Sequence, residues 1–275
     1  MTPEALEEAI AGHPAWGGHF RQQREGYTLP GLGAARIHGT GAADAAVLAA
    51  QGIGIEGGGG EGNLVVLAGG QGGHHLRILF GGRRNCIAVI GTEGVLAGQV
   101  GFEGDGHLLV FNGRGTCHVN MTFRSREGAL FFGRGATCNG ADFLVEGPRR
   151  CIILGDDGMV AYRVGLRTSD SHGIVSLDDP RAALNPPASV VVEPHVWIAK
   201  DAVIGRGVRL GRGAIVAMNT IATADVAPCT LVGGVPMRVL KERVTWTRAS
   251  QPGQAEIQAA IAAAAPAERG PGRAG

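Results

Sequence analysis

Aromatic side chains are scarce in this chain: 8 Phe, 3 Trp and 2 Tyr stand against 48 Gly in 275 residues. That balance argues against an aromatic-rich sandwich and predicts a core built from stacked Val, Ile, Leu and Ala. Excess charge is also missing. A formal net charge of +1 provides no electrostatic case for a nucleic-acid or anionic-membrane partner. No apolar run approaches the ~18–20 residues of a membrane span. The first residues, MTPEALEEAI, are acidic where a signal peptide is basic, so a cytoplasmic location is expected. The five cysteines (Cys86, Cys117, Cys138, Cys151 and Cys229) contain no CxxC pair. This argues against a disulfide framework and a zinc site, and predicts small core hydrophobes and no metal.

What is present is a period. In residues 192–221, VEPHVWIAKDAVIGRGVRLGRGAIVAMNTI, every sixth position is apolar: Val192, Ile198, Ile204, Leu210 and Val216. Four positions further on stand Val196, Ala202, Val208, Ala214 and Thr220. A six-residue period is neither helical nor alternating; it is the hexapeptide repeat of a parallel β-helix, in which three strand-and-turn units close one triangular coil. Gly205, Gly207, Gly211 and Gly213 fall at the corners, where positive φ is expected.

A longer period precedes it. VVLAG, IAVIG, LLVFN, LFFG and IILG end at Gly69, Gly91, Asn112, Gly133 and Gly155, spaced by 21 or 22 residues. Eleven residues after these markers come Phe80, Phe102, Phe123, Leu144 and Leu166, which are expected to stack. Cys117 and Cys138 share one register and are expected to stack as well. Ahead of these coils, Thr2, Pro3 and Glu4 announce a helix over 3–12, and AADAAVLAA (42–50) suits either a helix or a buried strand. EGGGGEG (56–62) and GGQGG (69–73) read as loops, since a phosphate cradle needs a following Lys-Ser/Thr or a βαβ setting.

The fold class is therefore all-β: a parallel β-helix with irregular longer N-terminal coils and short terminal helices. Its expected organisation is an N-terminal helix and irregular segment (1–62), 21–22-residue coils (63–166), a loop insertion (167–188), hexapeptide coils (189–232) and a C-terminal segment (233–275). The last of these has a short Ala-rich helix over 254–264 and disorder beyond about 266.

The insertion RTSDSHGIVSLDDPRAALNPPA breaks the period and is too polar for a core, so it is expected to project as a functional loop. TSDSH at 168–172, HVWIA at 195–199, the hexapeptide run and VGGVPMRVLK at 232–241 together resemble the bacterial hexapeptide acyltransferases, in particular their polysaccharide and sialic-acid O-acetyltransferase branch. The resemblance covers roughly residues 150–245. It implies that the parallel β-helix is left-handed, a hand assumed continuous into the longer coils, and it implies a homotrimer with sites shared between subunits, acetyl-CoA as donor and a saccharide as acceptor. It places the catalytic histidine at His172 and the tryptophan lining the donor and acceptor site at Trp197. Ala199, Ala217 and Asn219 fall along the pantetheine groove, and Gly234, Pro236, Arg238 and Lys241 fall near coenzyme A. Four positions depart from the family pattern: Ala199 for Gly, Met218-Asn219 for Ala-Gly, Ala224 for Lys and Val235 for Asn.

The chemistry asks for a residue of this kind independently. Moving an acetyl group from a thioester to a sugar hydroxyl requires taking a proton from a very weak acid, and imidazole, with an ordinary pKa of about 6.5, is the side chain best matched to the task. Asp170 or Ser169 would fix the ring's tautomer, and a backbone N–H at a coil corner would meet the oxyanion. His195 reads as a packed turn histidine. Trp197 follows the inward Val196 and so should point outward, while Arg238 and Lys241 suit phosphates. An N-acyltransferase on an amino sugar or small amine shares donor and scaffold. A γ-type carbonic anhydrase would need a third converging histidine, and a bare β-helix scaffold would have no use for the SDSH loop.

Overall fold

Three six-residue units per coil put inward residues eighteen apart, and the C-terminal coils close at that length. Val192 pairs with Leu210, Ile198 with Val216 and Ile204 with Ala222 across three parallel walls. The computed structural model describes residues 2–16, 26–27, 32, 35–57, 60–67, 73–89, 91, 93–179 and 181–265. All ten residues of the hexapeptide pattern are buried in the lumen. Of the corner glycines, Gly207 and Gly213 take φ of 77° and 70°. Gly211 is needed for a different reason: a Cβ there would lie 2.5 Å from the Pro228 nitrogen. The expected positive φ therefore holds for only part of the set, and His195, Asp201 and Asn219 occupy other left-handed corners at 56°, 62° and 55°.

The N-terminal coils are longer between the third wall and the next first wall, where Phe143 to Leu154 spans eleven residues against six from Ile204 to Leu210, and their second and third walls are one bent strand. Gly94–Asp105, Gly115–Arg126 and Thr137–Glu146 each run through the second corner without a turn. The first wall stacks Leu64–Leu67, Cys86–Val89, Leu108–Phe111, Ala129–Phe132 and Cys151–Leu154 at offsets of 21 or 22 residues. Met159–Arg167 converts one coil type into the other. Its first half pairs with Trp197–Ile198 and its second half with Val203–Ile204.

A longer perimeter encloses a wider lumen, which changes the expected core. All seven phenylalanines among the described residues are buried, and six of them form ladders in these coils: Phe80, Phe102 and Phe123 at centroid spacings of 5.3 and 4.9 Å, and Phe111, Phe132 and Phe143 at 5.5 Å. The narrower 18-residue coils are filled by Val, Ile, Leu and Ala, with Thr220 the one polar residue of the pattern. The expected marker Leu144 does not join its ladder. Phe123 pairs with Val145, and Phe143 with Leu166, across a bulge between Gly140 and Ala141. One residue of slip turns a side chain to the other face of a strand, so Leu144 is only half-buried. Cys117 and Cys138 lie in the lumen as expected, where burial pushes the Cys117 thiol up to about 11. Cys151 is buried outside the lumen, and Cys86 and Cys229 are only partly buried.

The first wall is apolar on both faces because its outer side is covered as well. Leu6 and Ile10 of the helix Pro3–Ala11, with Trp16, Tyr27 and Leu32, pack on Val66, Val110, Phe131 and Ile153. Thr2 caps that helix, accepting from the Ala5 N–H at 3.3 Å. Residues 42–50 form a helix, whose Leu48 is buried in the lumen cluster with Ile53 and Leu76. The expected helix at 254–264 is also present. The expected disorder beyond 266, and Gly69 with most of GGQGG, fall outside the described residues. Among the described residues no helix is long and apolar enough to cross a membrane.

Two buried polar systems went unread in the sequence. Asn63, Asn85 and His107 sit one coil apart at a single corner. Asn63 Oδ1 accepts from the Asn85 N–H (2.9 Å), Asn85 Oδ1 from the His107 N–H (2.8 Å), and His107 Nδ1 from the Gly128 N–H (2.9 Å). Burial holds the His107 ring at about 4, so it serves as a neutral acceptor. At the other end, the Trp246 indole stacks on His195 (4.6 Å, 9°) and donates to the His195 carbonyl at 2.9 Å. His195 Nδ1 faces Asp157 Oδ2 at 2.7 Å and Nε2 faces the Trp246 carbonyl at 3.1 Å. Arg248 Nη2 donates to Asp157 Oδ1 at 2.7 Å, completing a clasp that ties the C-terminal segment to the coil. Burial raises the Asp157 carboxyl, but hydrogen bonds and charge from His195 and Arg248 outweigh it and hold the group below its ordinary range.

Asn85→Ala leaves the His107 N–H without its acceptor and removes a donor from the Gly104 carbonyl. It should cost about 2–4 kcal/mol in chemical denaturation. Asn120→Ala, which removes an exposed bond to Asp142, should cost about 0.5 kcal/mol or less. Because the folded Asp157 pKa lies below the unfolded one, its contribution is complete above the unfolded carboxylate value of about 3.9 and is lost as pH falls through the folded value. The stability difference between the native chain and Asp157→Asn should therefore be flat between about pH 5 and 7 and shrink below about pH 4.

Candidate functional site

An excursion from a coil is tolerated only if the wall resumes in register, and the insertion meets that condition at its neck. The Ala188 N–H donates to the Thr168 carbonyl at 2.8 Å, so the residues between leave and return at one corner. Thr168, fully buried, anchors the outgoing strand: its Oγ1 accepts from the Glu146 N–H at 2.8 Å. The returning strand Val190–Val192 pairs with Cys151–Leu154 as though no residues had intervened. Within the loop a single bridge joins Val175 to Ala183, and Ile174, Val175, Leu177 and Leu184 are all exposed.

His172 stands in the outgoing arm of this loop, exposed, with no hydrogen bond to its ring among the described residues. Neither expected orienting partner reaches it. Asp170 Oδ2 accepts from Asn185 Nδ2 and from Arg206 Nε, both at 2.9 Å, and Ser169 Oγ accepts from the Ser171 N–H at 2.9 Å. Hydrogen bonds from Asn185 and Arg206 hold the Asp170 carboxyl below its ordinary value. Asp170 thus orders the loop rather than the ring. Ser171, at φ 64°, donates its hydroxyl to Glu146 Oε2 at 2.9 Å.

The other expected site residues gather elsewhere. Ala199 and Ala217 lie at the corner between the second and third walls, their N–H groups bonded to the Val216 and Val232 carbonyls. Gly234 joins the same corner by donating its N–H to Thr220 Oγ1 at 3.2 Å, and Asn219 donates its N–H to the Lys200 carbonyl at 3.0 Å. Gly234 and Pro236 lie in the turn of a hairpin whose second strand, Arg238–Glu242, carries Arg238 and Lys241, both exposed. Trp197 projects from the second wall as expected. Its ring lies 6.2 Å from that of Trp246, beside a groove of about 680 Å³ lined by Met159, Ile215, Arg248, Ile257 and Ile261.

The residues expected to form the site therefore fall into two groups at different corners of the triangular coil. The small residues, the hairpin cations and Trp197 lie before the third wall, and the His172 loop springs from its end. His195, locked in its clasp, belongs to neither. Sequence reasoning missed Asn185, Arg206 and Arg248, whose partners lie 15, 36 and 91 residues away. No local spacing announces such pairs. Among the described residues no group of three or more His, Cys, Asp or Glu is arranged to hold a metal ion.

No family model matches the chain. The polysialic acid O-acetyltransferase of Escherichia coli O1:K1 / APEC is 27% identical over 119 residues, which are 43% of this chain and 38% of that protein. The 2,3,4,5-tetrahydropyridine-2,6-dicarboxylate N-acetyltransferase of Staphylococcus aureus (strain bovine RF122 / ET3-1) is 46% identical over 61 residues, 22% of this chain and 26% of that one. The chain thus spans well under half the length of these curated relatives. The solved structure of the polySia-specific acetyltransferase NeuO superposes with a TM-score of 0.64 at 21% identity, covering 73% of this chain and 91% of its own. That likeness gives the coil its hand: a left-handed parallel β-helix of about seven turns. In matched sequence and in fold, the relatives of this chain are hexapeptide-repeat acetyltransferases, a polysialic acid O-acetyltransferase among them.

Proposed function

We propose that the protein is an acetyl-CoA-dependent O-acetyltransferase that esterifies a saccharide hydroxyl, with His172 as general base. The observation that carries this reading is the state of His172: its ring is exposed and unengaged while the backbone around it is held by hydrogen bonds to the buried Asn185. An imidazole free of partners can accept a proton, and a fixed backbone limits where it does so.

In this reading the acceptor hydroxyl gives its proton to the His172 ring as its oxygen attacks the thioester carbonyl. The tetrahedral intermediate then collapses, breaking the carbon–sulfur bond, and the thiolate of coenzyme A takes the proton back from His172. The products are the sugar ester and free coenzyme A, and the base is regenerated. Arg238 and Lys241, exposed on the hairpin, would hold the phosphates. Ala199 and Ala217 leave room for the pantetheine arm, with Asn219, Gly234 and Pro236 at its edge, and Trp197 lines the donor and acceptor side.

The two groups belong to different corners, so a complete site calls for a second copy of the chain. The exposed apolar groups Ile174, Val175, Leu177 and Leu184 on the loop, with Tyr162, Met218 and Ile221 along the coil, are surface that such a copy would bury. A homotrimer in the cytoplasm, with three shared sites, is the assembly that fits. A second reading, transfer to an amine, draws on the 46% identity to an N-acetyltransferase. That match covers only 61 residues, and the product distinguishes the two: hydroxylamine cleaves an O-ester and spares an amide.

Calorimetric titration should find saturable acetyl-CoA binding near one per chain, weakened about tenfold or more when Arg238 and Lys241 are both replaced by Ala. His172→Ala should lower kcat by about a thousandfold with donor affinity within about twofold, because the base acts in the transition state. Near-native turnover in that variant would remove His172 from the mechanism.

A further inference from the structure

A loop with one β-bridge among its described residues relies on its side chains for shape, and here one amide makes three contacts to its backbone and side chains. Asn185 lies in the returning arm, only 6% exposed. Its Oδ1 accepts from the Ile174 N–H at 2.6 Å, while its Nδ2 donates to Asp170 Oδ2 and to the His172 carbonyl, both at 2.9 Å. The three contacts fall on residues 170, 172 and 174, so the amide brackets His172 on both sides and holds its own backbone. Both N–H protons are used, and the carbonyl oxygen is used as well. The assembly is tied to the rigid coil through Asp170, which also accepts from Arg206 Nε at 2.9 Å. Arg206 sits at the corner that follows the strand Val203–Ile204.

Because the His172 ring has no partner of its own among the described residues, its direction follows from its backbone and two rotatable bonds. Resting on the reading of His172 as base, we propose that Asn185 is a positioning residue for the transfer reaction, fixing the outgoing arm so that the imidazole points at the acceptor hydroxyl. Asp170 and Arg206 join that brace to the coil. No other side chain serves as well. Leu would leave the Ile174 N–H and the His172 carbonyl unpaired beneath the loop, and Asp would set a second carboxylate against Asp170 while offering no N–H donor.

The test compares Asn185→Asp, which keeps the size of the side chain and the acceptor for Ile174 but removes both donors, with Asn185→Ala in the full-length chain. Turnover with a saccharide acceptor should fall by about a hundredfold in each, with acetyl-CoA affinity within about twofold, the separation expected of lost orientation rather than lost folding. A second measurement needs no turnover. The His172 ring proton, assigned in NMR spectra by its loss in His172→Ala, should shift or broaden in both variants while that of His195 stays in place. If Asn185→Ala does not fold, Asp170→Asn, which weakens the same brace from the other side, should move the His172 resonance in its stead. An unchanged His172 resonance in the folded variants would overturn the role of Asn185. A displaced resonance with turnover retained would instead overturn the reading of His172 as base.

Discussion

Every feature of this molecule depends on the parallel hydrogen-bond ladder between successive coils. Each strand donates to and accepts from the coil on either side, so the backbone is satisfied only if every coil returns to the same register. Perimeter is then set by how the corners are made. Where the third wall reaches the next first wall through eleven residues the coil takes 21 or 22, and where it does so through six the coil takes eighteen. Lumen width follows perimeter and core composition follows width, which is why the phenylalanines collect at one end.

The same ladder explains why the loop could be inserted at all. Residues between Thr168 and Ala188 leave the wall at a corner, where pairing is interrupted anyway, and the bond between those two residues closes the gap. The cost of ordering so polar a segment is met by buried partners at its base, Thr168 and Asn185, rather than by an apolar core. Beside the exposed Asp178, Asp179 and Arg181, the loop presents four apolar side chains and one imidazole to its surroundings. That combination suits a surface completed by another copy of the chain.

Legibility differed by scale. The hexapeptide register, the long coils, the two terminal helices with the cap at Thr2, the place of the loop and the outward Trp197 were readable because each rests on a local pattern of period, cap or interruption, whereas 42–50 suited helix and buried strand alike and folds as a helix. The slip that displaced Leu144 was not readable, since a bulge in Thr137–Glu146 depends on how its neighbour Met159–Arg167 bends. The asparagine ladder was hidden by distance: Asn63, Asn85 and His107 are polar residues in a pattern searched for apolar ones. Asp170 was visible as a residue but not as a partner. Being two residues from His172 in sequence says nothing about whether its carboxylate turns toward the ring or, as it does, toward Arg206 and Asn185.

That this chain is a β-helix, and where its coil is broken, follows from local pattern alone, because a six-residue period and its interruption are properties of neighbouring residues that no distant contact can erase. The bracing of the loop backbone by Asp170, the locking of His195 to Trp246 and Asp157, and the separation of the His172 loop from the hairpin cations emerge only in the folded chain. Those outcomes depend on contacts between groups 15 to 91 residues apart, and a hydrogen bond answers to distance in space rather than along the chain.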